Sequence, residues 1–269
     1  MTIKSYINKG NSCPVILENG GKTYFVKLHA GMSGKYALVS EWIGSQLGNQ
    51  LGIPSQIPNW IDFKSDLEID NIHVEVKDLI LKSLGTNIGF SYLKQAKEVD
   101  KVSLENLEEQ RIQEIFLFDL MMINVDRSLD NINLMKVDDK IFSVDYESSL
   151  LVQELIEGKK YLENERILKC FRQNPLYREM SEESIDNFLR KVENLSIEKA
   201  ISEVPVSLLS VEKRNLIRQG IEVRKKDKWF LKEIMKNLQS IQMETKEEGK
   251  RRRNRNQAEF KRKFKENLR

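Results

Sequence analysis

Asp126, Asn131 and Asp145 are the residues of this sequence whose types and spacing best suit chemistry. Asp126 and Asn131 bound the segment Asp-Arg-Ser-Leu-Asp-Asn, which fits neither a regular helix nor a regular strand. Ile132–Val137, Asp138-Asp139 and Lys140–Val144 follow, the pattern of a hairpin with a two-residue turn. In that register Val137 faces Lys140 and Ile132 faces Asp145. Asn131 and Asp145 then share the open end, with Cα atoms about 5 Å apart across the ladder. An amide oxygen and a carboxylate so placed form a hard-oxygen pair suited to Mg²⁺. Asp126, on a loop between rigid elements, sits where a catalytic base is commonly presented.

Taken singly, Asp126, Asp130 and Asn131 read as ordinary turn residues. Together, a D-x-x-x-x-N element, a hairpin and a following Asp give the order of a kinase catalytic loop and metal-binding Asp. That order predicts three further parts upstream. Lys27, in Tyr24-Phe-Val-Lys-Leu, is a cation on an apolar strand that shares a face with Phe25; a lysine there is costly unless paired, and an edge-strand lysine in solvent is the plain alternative. Glu41 lies mid-helix on a face with Ala37, Gly44, Ser45 and Gly48, small residues that let a helix approach a sheet; a surface glutamate is the plain alternative. Gly10-Asn-Ser-Cys-Pro is a short turn of small residues that lacks the spacing of a glycine-rich phosphate loop.

The elements that must position these residues divide the chain into two textures. The first eighty residues read as strands with one helix. Asn19-Gly20-Gly21 marks a hairpin turn, Val39, Ile43, Leu47 and Leu51 mark an amphipathic helix over 35–51, and Gln56–Phe63 and Ile72–Leu81 read as strands. Gly85–Tyr92 reads as a linker, with a substrate or nucleotide-edge loop as the alternative. Leu104–Ile123 reads as one long helix buried in its second half, and later residues as helices over roughly 160–173, 182–194, 196–203 and 211–241, with Ser181 and Ser210 as N-caps. The fold expected is α+β, a small strand-rich lobe over 1–84 and a larger helical lobe over 85–245.

Composition narrows the class. The chain has 269 residues, 40% of them apolar, and a net charge of +3. No run approaches the roughly 20 apolar residues of a membrane span, and the first residues carry no apolar signal segment. Two cysteines and two histidines exclude a disulfide framework and make a zinc site improbable. A cytoplasmic protein is expected. Residues 246–269 hold 11 Lys/Arg against 4 Asp/Glu, leaving the rest at −4. With Phe260, Phe264 and Leu268 at four-residue steps, this basic amphipathic tail suits nucleic acid, an acidic partner or anionic lipid, or simply docks on the helical lobe.

The stretches Gly10-Asn-Ser-Cys-Pro-Val-Ile-Leu, Tyr24-Phe-Val-Lys27-Leu, Leu38-Val-Ser-Glu41-Trp, Leu51-Gly-Ile-Pro54 and Gly85-Thr-Asn-Ile-Gly-Phe-Ser-Tyr-Leu resemble HipA-like kinases. The resemblance is strongest in Phe118-Asp-Leu-Met-Met-Ile-Asn-Val-Asp126-Arg127-Ser-Leu-Asp-Asn131-Ile-Asn-Leu and Val144-Asp145; Asn-x-Asp-Arg-x-x-x-Asn is also similar to phosphatidylinositol 4-kinases and actin-fragmin kinase. It implies a two-lobed protein-kinase-like fold and an ATP- and Mg²⁺-dependent Ser/Thr protein kinase. It further implies that Asp126 takes the acceptor's proton, Asn131 and Asp145 hold Mg²⁺, and Lys27, paired with Glu41, contacts the α/β-phosphates. Gly10, Asn11 and Ser12 would cover the phosphates, and Leu81, Lys82, Ser83 and Leu84 would meet the adenine. Where the family commonly has Asp-His-Gly, this chain has Asp145-Tyr146-Glu147. The added carboxylate can bind a second metal or repel nucleotide, so a pseudokinase acting as a nucleotide-binding module is the rival reading, beside a kinase of small molecules or lipids.

Overall fold

The computed structural model describes residues 1–7, 13–31, 34–70 and 72–241. Gly10, Asn11, Ser12 and the basic tail over 246–269 lie outside the described residues. Strands β1 (Thr2–Tyr6), β2 (Val15–Asn19), β3 (Lys22–Lys27), β4 (Pro58–Phe63), β5 (Glu68–Ile69) and β6 (Gly85–Ser91) form one sheet in the order β4-β6-β3-β2-β1-β5. β2 and β3 pair from Asn19↔Lys22 to Val15↔Val26 across the expected turn, where Gly20 and Gly21 both take positive φ. Two adjacent left-handed residues are what a tight hairpin of this hand requires.

Two helices flank the sheet. α1 (Gly34–Gln50) is buried almost all round, which marks an interior helix. It ends at Gly52, whose φ of 78° lets the chain turn so that the Ile53 amide donates to the Gly48 carbonyl at 2.9 Å. α2 (Val74–Lys82) replaces the strand expected over Ile72–Leu81. Ile72, Val74 and Val76 alternate like a strand, but the residues that reach the core are Val76 and Ile80, one helical turn apart, while Val74 is 69% exposed. They join Ile3, Leu17, Val26 and Phe63 in a core of their own.

The helical part follows: α3 (Lys101–Glu105), α4 (Glu109–Met122), α5 (Leu151–Glu157), α6 (Glu165–Gln173), α7 (Glu182–Glu193), α8 (Ile197–Ser202), α9 (Val211–Lys226) and α10 (Phe230–Ser240). Its only strands among the described residues, β7 (Lys97–Glu98), β8 (Leu134–Val137) and β9 (Lys140–Ser143), make a sheet in the order β7-β8-β9. The long helix expected over Leu104–Ile123 is broken between α3 and α4, and that expected over 211–241 is broken at Asp227, whose carboxylate accepts from the Trp229 and Phe230 amides. Ser181 and Ser210 cap α7 and α9 as expected.

The larger core runs from α1 through α4 to α10. Trp42 of α1 donates its indole N–H to the Ala200 carbonyl of α8 at 2.9 Å, so α1 packs against both the sheet and the helices. One boundary moves. β6 lies in the middle of the six-stranded sheet, bonded to β3 and β4, so Gly85–Ser91 is neither linker nor substrate loop and the strand-rich lobe runs on to Ser91. Its residues Asn87 to Phe90 are buried on both faces, a pattern that periodicity cannot separate from other short apolar runs. Among the described residues no helix is long and apolar enough to cross a membrane.

Candidate active site

Lys27 ends β3. Val26 turns into the core beneath the sheet, so strand alternation sends Phe25 and Lys27 to the other face, where both line a cleft of about 770 Å³. That volume suits a nucleotide-sized ligand. Lys27 is 5% exposed, and its Nζ meets three carboxylates: Glu41 Oε2 at 2.8 Å, Asp145 Oδ1 at 2.8 Å and Glu147 Oε2 at 3.1 Å. The sequence suggested the first partner; the other two come from a loop more than a hundred residues away.

The charges are unevenly shared. Burial alone would drive a proton off Lys27, but the charges of Asp145, Glu41 and Glu147 outweigh it and hold the ammonium well above its ordinary value. Glu41 has only this one cation, shared with two other carboxylates, so burial prevails and pushes it up from 4.5 to about 7. Burial is the largest single influence on Asp145 too, but the charge and hydrogen bond of Lys27, with the charge of Arg127, outweigh it together and hold the carboxyl below the usual range. Oxygens of Glu41, Asp145 and Glu147 lie within 4.8 Å of one another, a hard-oxygen set around the point the ammonium occupies.

Opposite lies the loop after α4. Ile123 caps that helix with φ 54°, and the Asn124 amide returns to the Asp119 carbonyl at 2.8 Å. Arg127 turns inward. Its Nε donates to Asp119 Oδ2 at 2.6 Å, one terminal nitrogen to the carbonyls of Ile132 and Asn133 at 2.8 and 2.7 Å, and the other to Asp119 Oδ1 at 3.2 Å and Ser143 Oγ at 2.7 Å. This buried anchor leaves the neighbouring Asp126 facing the cleft. Asn131 Nδ2 donates to the Asp126 carboxylate and carbonyl at 3.2 Å, and Asn133, held at φ 55°, approaches the same groups at 3.5 and 3.4 Å. Burial and the negative charges of Asp145 and Glu147 raise the Asp126 carboxyl, against the Asn133 hydrogen bond. A carboxylate shifted toward neutrality is a better proton acceptor at ordinary pH.

The hairpin register is the expected one, with Val137↔Lys140 and Leu134↔Ser143, extended by Val144 N–H to the Asn133 carbonyl at 3.1 Å. Asn131 and Asp145 line the same cleft, although Asn131's amide N–H₂ turns to Asp126 and Asp145 turns to Lys27. Asp145 takes φ 67°, and Tyr146 after it is fully buried, edge-on to Phe118 at 5.5 Å. A Cβ on Gly44 would lie 2.6 Å from Tyr146 Cβ and Cγ. At Gly44 and Gly48 the small face of α1 therefore admits Tyr146, the residue after Asp145.

Leu81, Lys82, Ser83 and Leu84 do not line this cleft. Leu81 and Leu84 are 48% and 40% exposed, and Ser83 is spent at the end of α2, donating to the Leu79 carbonyl and accepting from the Ala30 amide. The apolar wall comes instead from Phe25, Phe90, Tyr92, Leu93, Val99 and Leu134. The displacement follows from β6: once Gly85–Ser91 is a sheet strand, the segment between the lobes starts at Tyr92, which a strand reading of Gly85–Tyr92 would have indicated.

Residues 1–231 match the HipA-like kinase family. The fold is similar to that of the Helicobacter pylori proinflammatory kinase CtkA, with a TM-score of 0.55 and 14% identity over 89% of this chain and 95% of that one. The choline kinase LicA from Streptococcus pneumoniae aligns at a TM-score of 0.32 and 12% identity over 83% of this chain and 95% of that one. No curated protein sequence matches the chain. The architecture is accordingly a two-lobed, protein-kinase-like fold.

Proposed function

The chain belongs to the HipA-like kinase family, and on that premise we propose that it is an ATP- and Mg²⁺-dependent phosphotransferase acting on a Ser or Thr hydroxyl of a protein. The observation that carries this reading is the buried Lys27–Glu41 pair at 2.8 Å, joined by Asp145 at 2.8 Å, in a cleft that Asp126 also lines. The donor set fits the nucleotide: an ammonium for phosphate oxygens, an apolar wall for a base, and hard oxygens of Asp145 and Asn131, with Glu147 in reach, for the metal. Mg²⁺, when bound, would neutralise the phosphates' charge. Glu41 keeps Lys27 aimed into the cleft. Arg127 fixes the loop, and Asp126 receives the acceptor's proton on its carboxylate, oriented by Asn131 and Asn133.

Glu147 on Lys27 at 3.1 Å favours a second reading, a nucleotide-binding module that transfers weakly, because that carboxylate holds the cation the phosphates need. A kinase of small hydroxyl compounds draws support from the short segment 146–150 between Asp145 and α5, which provides little platform for a peptide.

The test is transfer from labelled ATP, read beside thermal unfolding. Mg²⁺-ATP at a hundred times its Kd adds about 2.7 kcal/mol, roughly 5–10 °C for a chain of this length. A shift with labelled protein product supports the proposal; label on small hydroxyl compounds moves the acceptor class. A shift without transfer supports the second reading, and no shift overturns the nucleotide site.

A further inference from the structure

Ser143, the last residue of β9, is 1% exposed and stands at the edge of the cleft between the two loops of the site. Its Oγ accepts from Arg127 at 2.7 Å and lies 2.6 Å from the Tyr146 hydroxyl. Its amide donates to the Pro54 carbonyl at 2.8 Å, in the segment that follows α1. One residue is therefore bonded to the catalytic loop through Arg127, to the metal loop through Tyr146, and to the turn after the helix that carries Glu41.

A polar side chain in an apolar core is unfavourable unless it is hydrogen-bonded. Arg127 has five N–H donors, and four of them already meet Asp119 and two carbonyls. The fifth reaches Ser143. Tyr146, in turn, brings its hydroxyl into a fully buried site, beside Phe118 and against Gly44. Phenylalanine would fill much the same space; the hydroxyl adds a tie to Ser143. Asp145, directly before Tyr146, is held at φ 67°, a conformation that non-glycine residues keep only where the surroundings fix it. The chain Asp119–Arg127–Ser143–Tyr146 supplies such a restraint.

We propose that Ser143 is a positioning residue for phosphoryl transfer, its hydroxyl locking the metal loop that bears Asp145 to the catalytic loop that bears Asp126. The inference rests on the kinase reading for its catalytic consequence, and on geometry alone for the tie itself. Partners that orient the ligands of a metal without touching it typically change metal affinity or activity 10–100-fold when removed.

The experiment uses the full chain with Ser143→Ala, Tyr146→Phe and the double variant. Ser143→Ala should raise the Mg²⁺ concentration for half-maximal transfer by about tenfold and lower kcat, while KM for ATP at saturating Mg²⁺ stays near its original value. Tyr146→Phe should do the same in smaller degree. The double variant should lose less than the sum of the two single losses, because the changes share the Ser143–Tyr146 bond, while Ser143→Ala alone frees Arg127 and Tyr146→Phe alone loses the contact with Ser55. Ser143→Thr, which retains the hydroxyl, should recover part of the Mg²⁺ response. Additive effects, or an unchanged Mg²⁺ response in Ser143→Ala, overturn the proposal. If the unmodified protein transfers no phosphate, the kinase reading fails separately, and the same cycle is read in melting temperature without ligand. Non-additive losses there uphold the tie, and additive ones overturn it.

Discussion

Asp126 and Asp145 line one cleft but are held by different groups, and their substitutions should separate accordingly. Asp145 is bonded to Lys27, the cation assigned to phosphates, whereas Asp126 is bonded to the amides of Asn131 and Asn133. Asp126→Ala is expected to abolish transfer while leaving the Mg²⁺-ATP thermal shift nearly whole, since a base acts in the transition state. Asp145→Asn is expected to lose most of the Mg²⁺-dependent part of that shift. Transfer by Asp126→Ala at the original rate would remove Asp126 from its role. Glu41 adds a pH effect. With its folded carboxyl raised from 4.5 to about 7, the folded chain binds more protons than the unfolded chain between those values. Stability from this group is thus full below the unfolded value and lost as pH rises through about 7. The ligand-free melting temperature of the unmodified protein should therefore fall more steeply from pH 5 to pH 8 than that of Glu41→Gln; parallel profiles would refute the assignment.

Helix α1 sets the spacing between the strand-rich lobe and the loop that bears Asp145 and Tyr146, and two glycines make the contact. A Cβ at Gly44 would stand 2.6 Å from Tyr146 Cβ and Cγ, too close to be absorbed without movement of α1 or the loop. At Gly48 the nearest groups are Ser55 Oγ at 3.1 Å and Phe118 Cε1 at 3.3 Å, contacts that need only a few tenths of an ångström. Gly44→Ala is expected to destabilise by about 1–3 kcal/mol, the usual range for overpacking, and to weaken Mg²⁺-ATP binding as Glu41 is carried away from Lys27. Gly48→Ala should change both less. Denaturant unfolding and nucleotide titration of the pair check this; equal effects at both positions would mean that Tyr146 yields freely and does not fix α1. The same packing explains why a run of small residues read from sequence pointed to close approach without saying to what.

For the molecule as a whole, the described residues already line the cleft. Deleting 246–269 is expected to leave the Mg²⁺-ATP shift within about 2 °C of the full chain's; loss of the shift would make the tail part of the nucleotide site. Much of the arrangement was legible beforehand because it is written locally. The hairpin register over 134–143 follows from one turn, the glycine turn of β2–β3 from two residues, and the Lys27–Glu41 pairing from the order of strand and helix. Family motifs did the rest for Asp126, Asn131 and Asp145. What misled is equally physical. Ile72–Leu81 alternates like a strand yet buries Val76 and Ile80 through a helical face, and Gly85–Ser91 joins the sheet through partners, β3 and β4, far from it in sequence. From that strand follows the apolar wall at Phe90, Tyr92 and Leu93 in place of Leu81 to Leu84. Residue type and spacing pointed to Lys27, Glu41, Asp126, Asn131 and Asp145, which line one cleft, because a given chemistry demands particular atoms. Which groups surround them, Glu147 on Lys27 and Ser143 between Arg127 and Tyr146, depended on long-range packing, where contact between side chains leaves no periodic trace along the chain.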